Sequence, residues 1–579
     1  MKIHIKTILA VALAVPLLSS CLDETFPTNG MIQQQVNGSA GAMKALTNAV
    51  AAQMLYMGGS YGACGFAGQM IALDAMTGQI PIAGTGYDYY ANYSRGDYLG
   101  PTYAYSYDTW NFYYGLVAKA NLAIKAGANV HAATDEGAGY IGDALVYRAL
   151  AYLNMSQLYE YVNTDYARLD AQAKADGLYG LTVPIITENT TRDSSYHNAR
   201  APFYKMYRFI LTDLNRADTL LNGYSREAAN QAGEAVVDGM KARFWLTLGS
   251  RFEQSPEDLA TMNAHEDDPG LAALNKLGVS TAKACFENAV KYARLAQQKG
   301  YKPMSKGQWY SGFNKTNTAW MFAVQIGSDD MNADSDWNWK SFISFMSAET
   351  EFGIGTSVYN ATRMIDRRLY DDINTADWRR ATWIDPDDAG QAESITKYAT
   401  ILKAKTFSSL PAYASLKFKP GNNNMNDYTK GAAVDIPLMR VEEMYFIEAE
   451  AAAHAESLDK GKQLLDNFMN TYRCTTTKDN AEPYHCKATT MREFTDELIN
   501  QKRIEFWGEG LIYFDYKRLR KGFTLKYEGT NHPSDYQYSF TDGYVAPSMN
   551  YCIPNSELQY NSAIKNNPDP SGLEEQAAN

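Results

Sequence analysis

The stretch IGDALVYRALAYLNMSQLYEY, residues 141–161, carries the clearest structural signal in the chain. Its apolar side chains recur every three to four residues, at Leu145, Ala149, Leu153 and Leu158. An α-helix turns once every 3.6 residues, so this spacing places them on one face. The stretch therefore predicts a long helix that buries one face against its neighbours.

The same periodicity continues on both sides of this helix. It predicts further helices over residues 40–57, 108–126, 204–221, 236–249, 281–298, 440–455, 458–471 and 491–507. Small residues lie at their expected contacts, so we expect adjacent antiparallel pairs in the manner of tetratricopeptide units, without a strict repeat. Between about 300 and 435, Gly, Asn, Asp and Trp rise and the periodicity fades, which predicts an irregular lobe of loops and short strands.

The N-terminus has the features of a bacterial lipoprotein signal. Lys2 and Lys6 precede an apolar run over 8–18, which is shorter than the roughly 20 residues that span a bilayer. Leu-Ser-Ser-Cys then ends at Cys21, where a lipobox cysteine would be lipidated and cleavage would precede it. The alternative is an ordinary signal peptide in which Cys21 is incidental. Asp23 and Glu24 resemble the acidic signal that directs such lipoproteins to the cell surface.

Composition limits the function classes. The chain has 579 residues and 45% hydrophobic residues, which suits two or three packed regions of a globular protein. Its net charge of −12 argues against nucleic acid as a partner. Tyrosine is frequent, with 42 Tyr against 22 Phe. Its apolar face and polar tip suit wet surfaces that bind polar ligands, although most of these rings are expected at the edges of the core.

The cysteines after Cys21 do not form a disulfide scaffold, because five of them are scattered over the chain. Cys474 and Cys486 either bridge across a polar loop in an oxidising compartment or stay free. His485 lies beside Cys486, but no CxxC or HxxxH pairing supports zinc. We therefore expect no metal and no cofactor.

Several stretches together resemble the SusD/RagB family over nearly all of the mature chain. They are residues 141–152 with the later Val183-Pro184, residues 237–248, IPLMRVEEMYFIEAEA at 436–451, KRIEFWGEGLIYFDYKR at 502–518, and IPNSEL at 553–558 with Asn566-Asn567-Pro568. The third and fourth are specific in combination. Residues 510–513, Gly-Leu-Ile-Tyr, depart from the family's usual Gly-His-Arg-Trp, which puts local helix packing in doubt.

The resemblance implies a mostly α-helical, SusD-like fold with four degenerate tetratricopeptide-like helix pairs and a loop-rich lobe that binds ligand. We expect a signal peptide over 1–20, an N-terminal helical region over 21–300, the lobe over 301–435 and a C-terminal helical region over 436–579. It also implies a SusC-like TonB-dependent barrel as partner, and a lipid-anchored place on the outer membrane.

The charged residues of the fourth stretch also have a structural interpretation. Arg503, Glu505, Glu509, Asp515 and Arg518 lie on one predicted helical hairpin, where they can pair and cap one another. We expect structural charges there and no binding site.

Two stretches have the composition of a sugar site, with aromatic rings for the sugar faces and polar groups for the hydroxyls. In the family, the loop before the helix at 108–126 contributes to the ligand site, and here that loop is rich in tyrosine. The candidates in the loop are Tyr87, Tyr89, Tyr90, Asn92, Tyr93, Arg95, Asp97 and Tyr98. Those of the second stretch are Trp309, Tyr310, Asp336, Trp337, Asn338 and Trp339. The alternative is that these rings seal the two lobes together.

The acids Asp329, Asp330, Asp334 and Asp336 could hold calcium, but their spacing differs from that of an EF-hand, and a solvated acidic loop is the simpler interpretation.

Three functions remain open. The first is a non-catalytic surface protein that binds a glycan, or alternatively a peptide or glycopeptide, for a transporter. The second is a glycoside hydrolase with two carboxylates, which 65 Asp and Glu residues do not exclude by count. No H-E-x-x-H or P-loop motif is present, and the resemblance argues against catalysis. The third is a helical scaffold that docks other proteins only.

Overall fold

The computed structural model describes residues 40–55, 65–82, 88–127, 135–331, 341–353, 355, 361–387, 410–475 and 482–571. This part of the chain is mostly helical. The first ten α-helices are α1 (Ala40–Gln53), α2 (Gly65–Met76), α3 (Tyr89–Ser94), α4 (Ala104–Gly127), α5 (Asp135–Tyr159), α6 (Ala167–Ala175), α7 (Arg192–Ser195), α8 (Phe203–Leu221), α9 (Glu234–Gln254) and α10 (Pro256–Ala264). The others are α11 (Ala282–Gln297), α12 (Lys306–Tyr310), α13 (Phe342–Met346), α14 (Arg367–Asp371), α15 (Tyr428–Gly431), α16 (Val441–Ala455), α17 (Leu458–Tyr472), α18 (Met491–Glu505), α19 (Ile512–Leu519) and α20 (Asn555–Tyr560).

Eight of these helices form a continuous stack, and it confirms the mostly α fold. The helices contact one another in sequence along the stack: α1 with α4, α4 with α5, α5 with α8, α8 with α9, α9 with α11, α11 with α16, and α16 with α17. The order corresponds to four successive pairs, α1/α4, α5/α8, α9/α11 and α16/α17. Each helix buries its apolar stripe against both neighbours, which gives the stack its stability.

Small residues lie where the paired helices approach most closely, as expected. A Cβ atom added at Gly249 of α9 would lie 2.8 Å from the Phe286 ring on α11. One added at Gly461 of α17 would lie 2.5 Å from the Ala453 Cβ of α16. Larger side chains at these two positions would force the helices apart.

Local signals define the helix ends. Ser457 caps α17 by accepting the Lys460 N–H at 3.2 Å. Thr490 and Glu493 form a reciprocal capping box at the start of α18. Such side chains satisfy backbone N–H groups that have no partner within the helix, so helix starts are well encoded in the sequence.

The segment between 301 and 435 is built differently. Its longest described α-helices, α12, α13 and α14, have five residues each. One strand there, β1 (Trp320–Val324), pairs antiparallel with β2 (Ile436–Arg440), which leads directly into α16. Isolated bridges join Met364 to Ala414 and Trp383 to Ser415. A single cluster of buried apolar side chains runs from Ala42 to Ile553, so this segment and the helical stack share one core.

The charges on the 502–518 hairpin are structural, but they pair differently from the prediction. Only Asp515 and Arg518 pair with each other, with Nη2 and Oδ1 2.7 Å apart. Glu505 and Glu509 pair with basic residues from distant parts of the chain, and Arg503 donates to the amide oxygen of Gln79 at 2.7 Å. The prediction of mutual pairing is therefore wrong for most of the set, because tertiary packing brings Arg379, Lys417, Arg440 and Arg473 onto the hairpin.

Candidate functional site

A group of exposed tyrosines lies between α3 and the first turns of α4. Tyr98, Tyr103 and Tyr107 are 47%, 38% and 50% exposed. The rings of Tyr98 and Tyr103 meet edge to face with their centres 5.1 Å apart. The Tyr107 N–H donates to the Tyr103 carbonyl oxygen, so these two side chains share one helix face. We call Tyr98, Tyr103 and Tyr107 the tyrosine face. Tyr89, on α3, is also exposed.

The backbone at Tyr98 is in a conformation that non-glycine residues seldom adopt. Its φ is +57°, in the left-handed region, and it closely follows Gly96 at +71°. A tyrosine in this region costs roughly 1–2 kcal/mol relative to an ordinary conformation. Strained backbone of this kind concentrates at functional sites, which makes Tyr98 a candidate site residue.

The segment is fixed from the far end of the chain. The Ser571 hydroxyl accepts the N–H groups of Leu99 and Gly100, each at 3.0 Å. Ser106 of α4 donates back to the carbonyl oxygen of Leu99 at 2.9 Å. The tyrosine face is therefore preorganised by contacts that involve residues more than 400 positions apart.

A buried ion pair fixes the start of α3. The Arg363 guanidinium makes two hydrogen bonds to the Asp88 carboxylate, and both side chains are buried. Asp88 also caps α3 by accepting the Tyr90 N–H at 3.3 Å. This pair ties α3 to the segment that bridges to Ala414, so the site rests on the irregular lobe.

Polar groups adjoin the tyrosine face. Arg95 donates to the Asn92 Oδ1 atom at 3.3 Å and forms an ion pair of 2.9 Å with Asp97. Its guanidinium lies 5.7 Å from the centre of the Tyr536 ring. Its Nε atom is buried without a hydrogen-bond partner in the described part of the chain. Burial raises the pKa of Tyr536, so this phenol stays protonated and remains a donor.

Three of the predicted site rings are in the core instead. Tyr90 packs edge to face on Phe345, with ring centres 5.0 Å apart, and Tyr93 packs on Tyr105 at 4.3 Å. Trp309 is fully buried, and its Nε1–H donates to the Thr382 hydroxyl at 3.0 Å. These rings have no surface left for a ligand, because neighbours from other parts of the chain cover them.

Tyr310 lines a separate cleft of about 330 Å³. Its hydroxyl donates to the Trp378 carbonyl oxygen at 2.5 Å, and the two rings meet edge to face with their centres 5.9 Å apart. Trp383 and Tyr370 line the same cleft. No residue of the tyrosine face lines it, so Tyr310 and the tyrosine face do not share this cleft.

Some of the predicted residues lie outside the described part of the chain. They are Cys21, Tyr87, Asp334, Asp336, Trp337, Asn338 and Trp339. Conversely, the exposed rings of Tyr103 and Tyr107 are not among the residues predicted from the sequence. Their spacing of four residues at the start of a predicted helix was an available signal, because it places both rings on one face.

Cys474 and Cys486 are free thiols, so the structure corrects the possible bridge between them. Residues 484–486 run antiparallel to α17: Asn470 bonds the Tyr484 backbone, and Asp466, further back along the helix, accepts the Cys486 N–H at 2.7 Å. Cys474 follows the opposite, C-terminal end of α17. Eight helical residues span about 12 Å, whereas bridged cysteines have Cα atoms roughly 4.4–6.8 Å apart.

Two properties of the described residues concern membrane spans and metal ions. Among the described residues, no helix is both long and apolar enough to cross a membrane. Across the same residues, no group of three or more His, Cys, Asp or Glu side chains is placed to hold a metal ion. The tyrosine face therefore offers aromatic surfaces and hydrogen-bonding groups, which can bind a polar ligand without metal coordination by described residues.

The chain matches two family models. The model described as "SusD family" matches residues 286–569, and the model described as "Starch-binding associating with outer membrane" matches residues 70–246. No protein with curated annotation matches the chain.

Solved structures with the same fold include a SusD-like carbohydrate binding protein from Bacteroides vulgatus. It has 18% identity and a TM-score of 0.65, with 91% of this chain and 97% of that chain covered. A SusD superfamily protein from Bacteroides thetaiotaomicron has 14% identity and a TM-score of 0.61, with 92% and 100% covered. A laminarin binding SusD-like protein has 17% identity and a TM-score of 0.59, with 91% and 99% covered.

Proposed function

Because this chain belongs to the SusD/RagB family, we propose that it captures a glycan at the tyrosine face and performs no chemistry on it. The names of similar proteins support this class of ligand, since one is described as laminarin binding and one as carbohydrate binding. The family description that mentions starch binding points the same way.

The observation that carries the proposal is the concentration of exposed rings. Eight large apolar or aromatic side chains are prominently exposed in the described residues, and four of them lie within residues 89–107. Exposed rings that cluster beside polar groups mark a binding surface, whereas rings scattered singly do not. A sugar presents C–H groups on its faces and hydroxyls on its rim, so rings and neighbouring polar groups bind it together.

Polar groups beside the rings complete the proposed site. The Arg95 side chain is 27% exposed, so its guanidinium can donate to a sugar hydroxyl, and Asn92 and Asp97 can accept. Rings held before the ligand arrives lose little freedom on binding, which favours affinity. We therefore assign Tyr98, Tyr103 and Tyr107 as stacking residues.

We further propose that the protein is anchored to the outer membrane through a lipid on Cys21 and delivers the glycan to a SusC-like TonB-dependent barrel. The support is the lipobox at Leu18–Cys21 and the family description, which associates such proteins with the outer membrane. Replacing Cys21 by Ser in cells that lack the barrel should release the protein from the membrane fraction. Retention of the variant in that fraction would contradict the anchor.

Calorimetric titration with maltoheptaose and laminarihexaose tests the binding site. Changing Tyr98, Tyr103 and Tyr107 together to Ala should weaken binding at least tenfold, about 1.4 kcal/mol. The matched control is Tyr544→Ala, which removes a ring that is 40% exposed outside the face and should leave binding unchanged. Equal affinity of the triple variant and the wild type would contradict this site.

Two further measurements separate the other functions. Reducing ends released from a bound glycan, and lost on replacing one carboxylate, would show a hydrolase. Binding of peptides from a mixed tryptic pool, together with no binding of any glycan, would show that the ligand is a peptide.

A further inference from the structure

A second concave surface lies away from the tyrosine face, where α5 ends, α8 begins and α9 ends. It is a cleft of about 550 Å³, within the range of roughly 300–1,000 Å³ that ligand sites occupy. None of the tyrosine face residues lines it. We call it the Arg251 cleft, after the residue at its centre.

Two tyrosine rings of the Arg251 cleft are held in place by contacts within the protein. Tyr179 is 41% exposed, and its hydroxyl donates to the Asn163 Oδ1 atom at 2.6 Å. Tyr204 is stacked on the His265 ring, with centres 3.9 Å apart and planes 5° from parallel. Rings that are already ordered offer stacking surfaces at little entropic cost.

The polar groups of the cleft are also ordered. Arg251 makes a two-point contact with Glu160, with both N–O distances 2.8 Å, and its Nε atom lies 2.9 Å from Asp258. Its guanidinium is stacked on the Phe203 ring at 3.9 Å. Each carboxylate oxygen has two lone pairs and accepts more than one hydrogen bond, so Glu160 and Asp258 retain acceptor capacity.

Donors are present on the facing wall. Arg520 donates to the Ser255 hydroxyl at 3.1 Å. The Gln254 side chain donates to the Arg518 carbonyl oxygen at 2.7 Å, which orients the amide and leaves its oxygen available as an acceptor. The cleft is thus lined by both donors and acceptors as well as by the two rings.

The charges of the cleft favour an uncharged ligand. The lining cations Arg251, Arg518 and Arg520 equal in number the lining acids Glu160, Glu257 and Asp258. Lys517 also lines the cleft and carries only part of a charge near neutral pH, because burial lowers its pKa to about 7. Near balance gives no strong attraction for an anion or a cation, whereas a ligand rich in hydroxyls matches the mixed donors and acceptors.

We propose that the Arg251 cleft is a second sugar-binding site, which takes an uncharged segment of one or two sugar units between Tyr179 and Tyr204. The inference rests on the proposed function in that it takes the ligand to be a glycan. Two sites on one chain raise the local concentration of a long glycan, so a polysaccharide binds more tightly than a short oligosaccharide.

Equilibrium dialysis of the full chain with short sugars tests the proposal. A trisaccharide does not bind as a polymer would, so the number of molecules bound per chain counts the sites. The probes are uncharged trisaccharides of glucose, mannose, galactose and xylose, each tried separately. For a trisaccharide that binds, the wild type should take up two molecules per chain. Tyr179→Ala and Thr261→Arg, the second of which fills the exposed rim of the cleft, should each reduce this to one.

The matched control is Tyr179→Phe, which keeps the ring and removes only the hydroxyl that bonds Asn163. It should retain two molecules per chain. Thr261→Arg changes an exposed helix position, so its thermal unfolding midpoint should match that of the wild type and exclude loss of fold as the cause.

The outcomes separate this proposal from the site at the tyrosine face. One molecule per wild-type chain, lost in the triple variant Tyr98, Tyr103 and Tyr107 to Ala and kept in Thr261→Arg, would overturn the second site and leave the first. One molecule per wild-type chain that is lost in Thr261→Arg and kept in the triple variant would support the cleft and overturn the tyrosine face. Absence of binding by every uncharged trisaccharide, in a protein that binds maltoheptaose or laminarihexaose at the tyrosine face, would overturn the second site alone.

Discussion

Arg473 and Glu505 form a two-point ion pair in the interior, with Nε–Oε2 and Nη2–Oε1 distances of 2.8 Å each. Glu505 also accepts from Arg379 at 2.8 Å and from Arg440 at 3.1 Å. These four side chains are completely or almost completely buried. They come from the lobe, from β2 and from the ends of α17 and α18, so one carboxylate joins the lobe to the helical stack.

Replacing Glu505 by Gln should destabilise the protein strongly. Burial alone would raise the pKa of Glu505, but the three guanidinium groups hold it well below its ordinary range, so the carboxylate is ionised in the fold. Its loss leaves three buried cations short of an anion, and breaking such an ion pair costs about 3–5 kcal/mol. Urea unfolding measures the change. Glu227→Gln, which breaks the exposed pair with Lys44, should cost less than about 1 kcal/mol. Similar losses in the two variants would contradict the buried network.

Asp143→Asn should gain stability relative to the wild type as pH rises from 5 to 8. Burial raises the pKa of Asp143 to about 8, against roughly 3.9 in an unfolded chain. The folded state thus binds this proton more tightly, so the wild type loses stability as pH rises from about 4 through 8. Asn does not titrate, and its oxygen can still accept the Ala232 N–H.

Chemical unfolding at several pH values measures this difference. The stability of Asp143→Ala should vary with pH with the same slope as that of Asp143→Asn. It should be lower than that of Asp143→Asn at every pH, because Ala also removes the acceptor for the Ala232 N–H. A difference between Asp143→Asn and the wild type that stays constant with pH would contradict the prediction.

Tyr98→Gly should separate stability from binding. Glycine accepts a φ of +57° without strain, which offsets its own entropic cost of about 0.5–1 kcal/mol, so stability should change by less than about 1 kcal/mol. Glycan affinity should fall because the ring is gone. Tyr98→Ala should lose the same affinity and be less stable than Tyr98→Gly. The thermal midpoint and calorimetric titration report the two effects, and undiminished affinity in both variants would remove Tyr98 from the site.

Cys474 and Cys486 should both be alkylated in urea without reductant. In the native protein they should react slowly, because both thiols are buried and burial raises their pKa, to about 12 for Cys474. Peptide mapping after iodoacetamide treatment measures both states. A peptide in which Cys474 is linked to Cys486 would contradict the free thiols.

The helices were predictable because their signals are local. Residues 204–221 were expected as a helix, and α8 spans Phe203–Leu221; residues 458–471 were expected, and α17 spans Leu458–Tyr472. Periodicity and capping side chains lie within one or two turns of the residues they organise. Helix α2, Gly65–Met76, was missed, because it is buried along nearly its whole length and lacks an amphipathic pattern.

The proposed site can be anticipated from the sequence only as a segment. The concentration of tyrosine between 87 and 98 points to the surface that the proposal uses, but composition gives no direction to a side chain. In the second stretch, composition suggests that Trp309 is an exposed ring beside polar residues, whereas the structure buries it completely.

Tyr89 and Tyr90 show what the sequence by itself does not determine. The sequence determined the helix pairs, the family and the segment that carries the rings, because these depend on local periodicity and on motifs within short stretches. Only the tertiary structure decided that Tyr89 is 46% exposed while its neighbour Tyr90 is fully buried. The physical reason is that Phe345 and Arg363 cover Tyr90 from more than 250 residues away, and burial depends on which elements pack there.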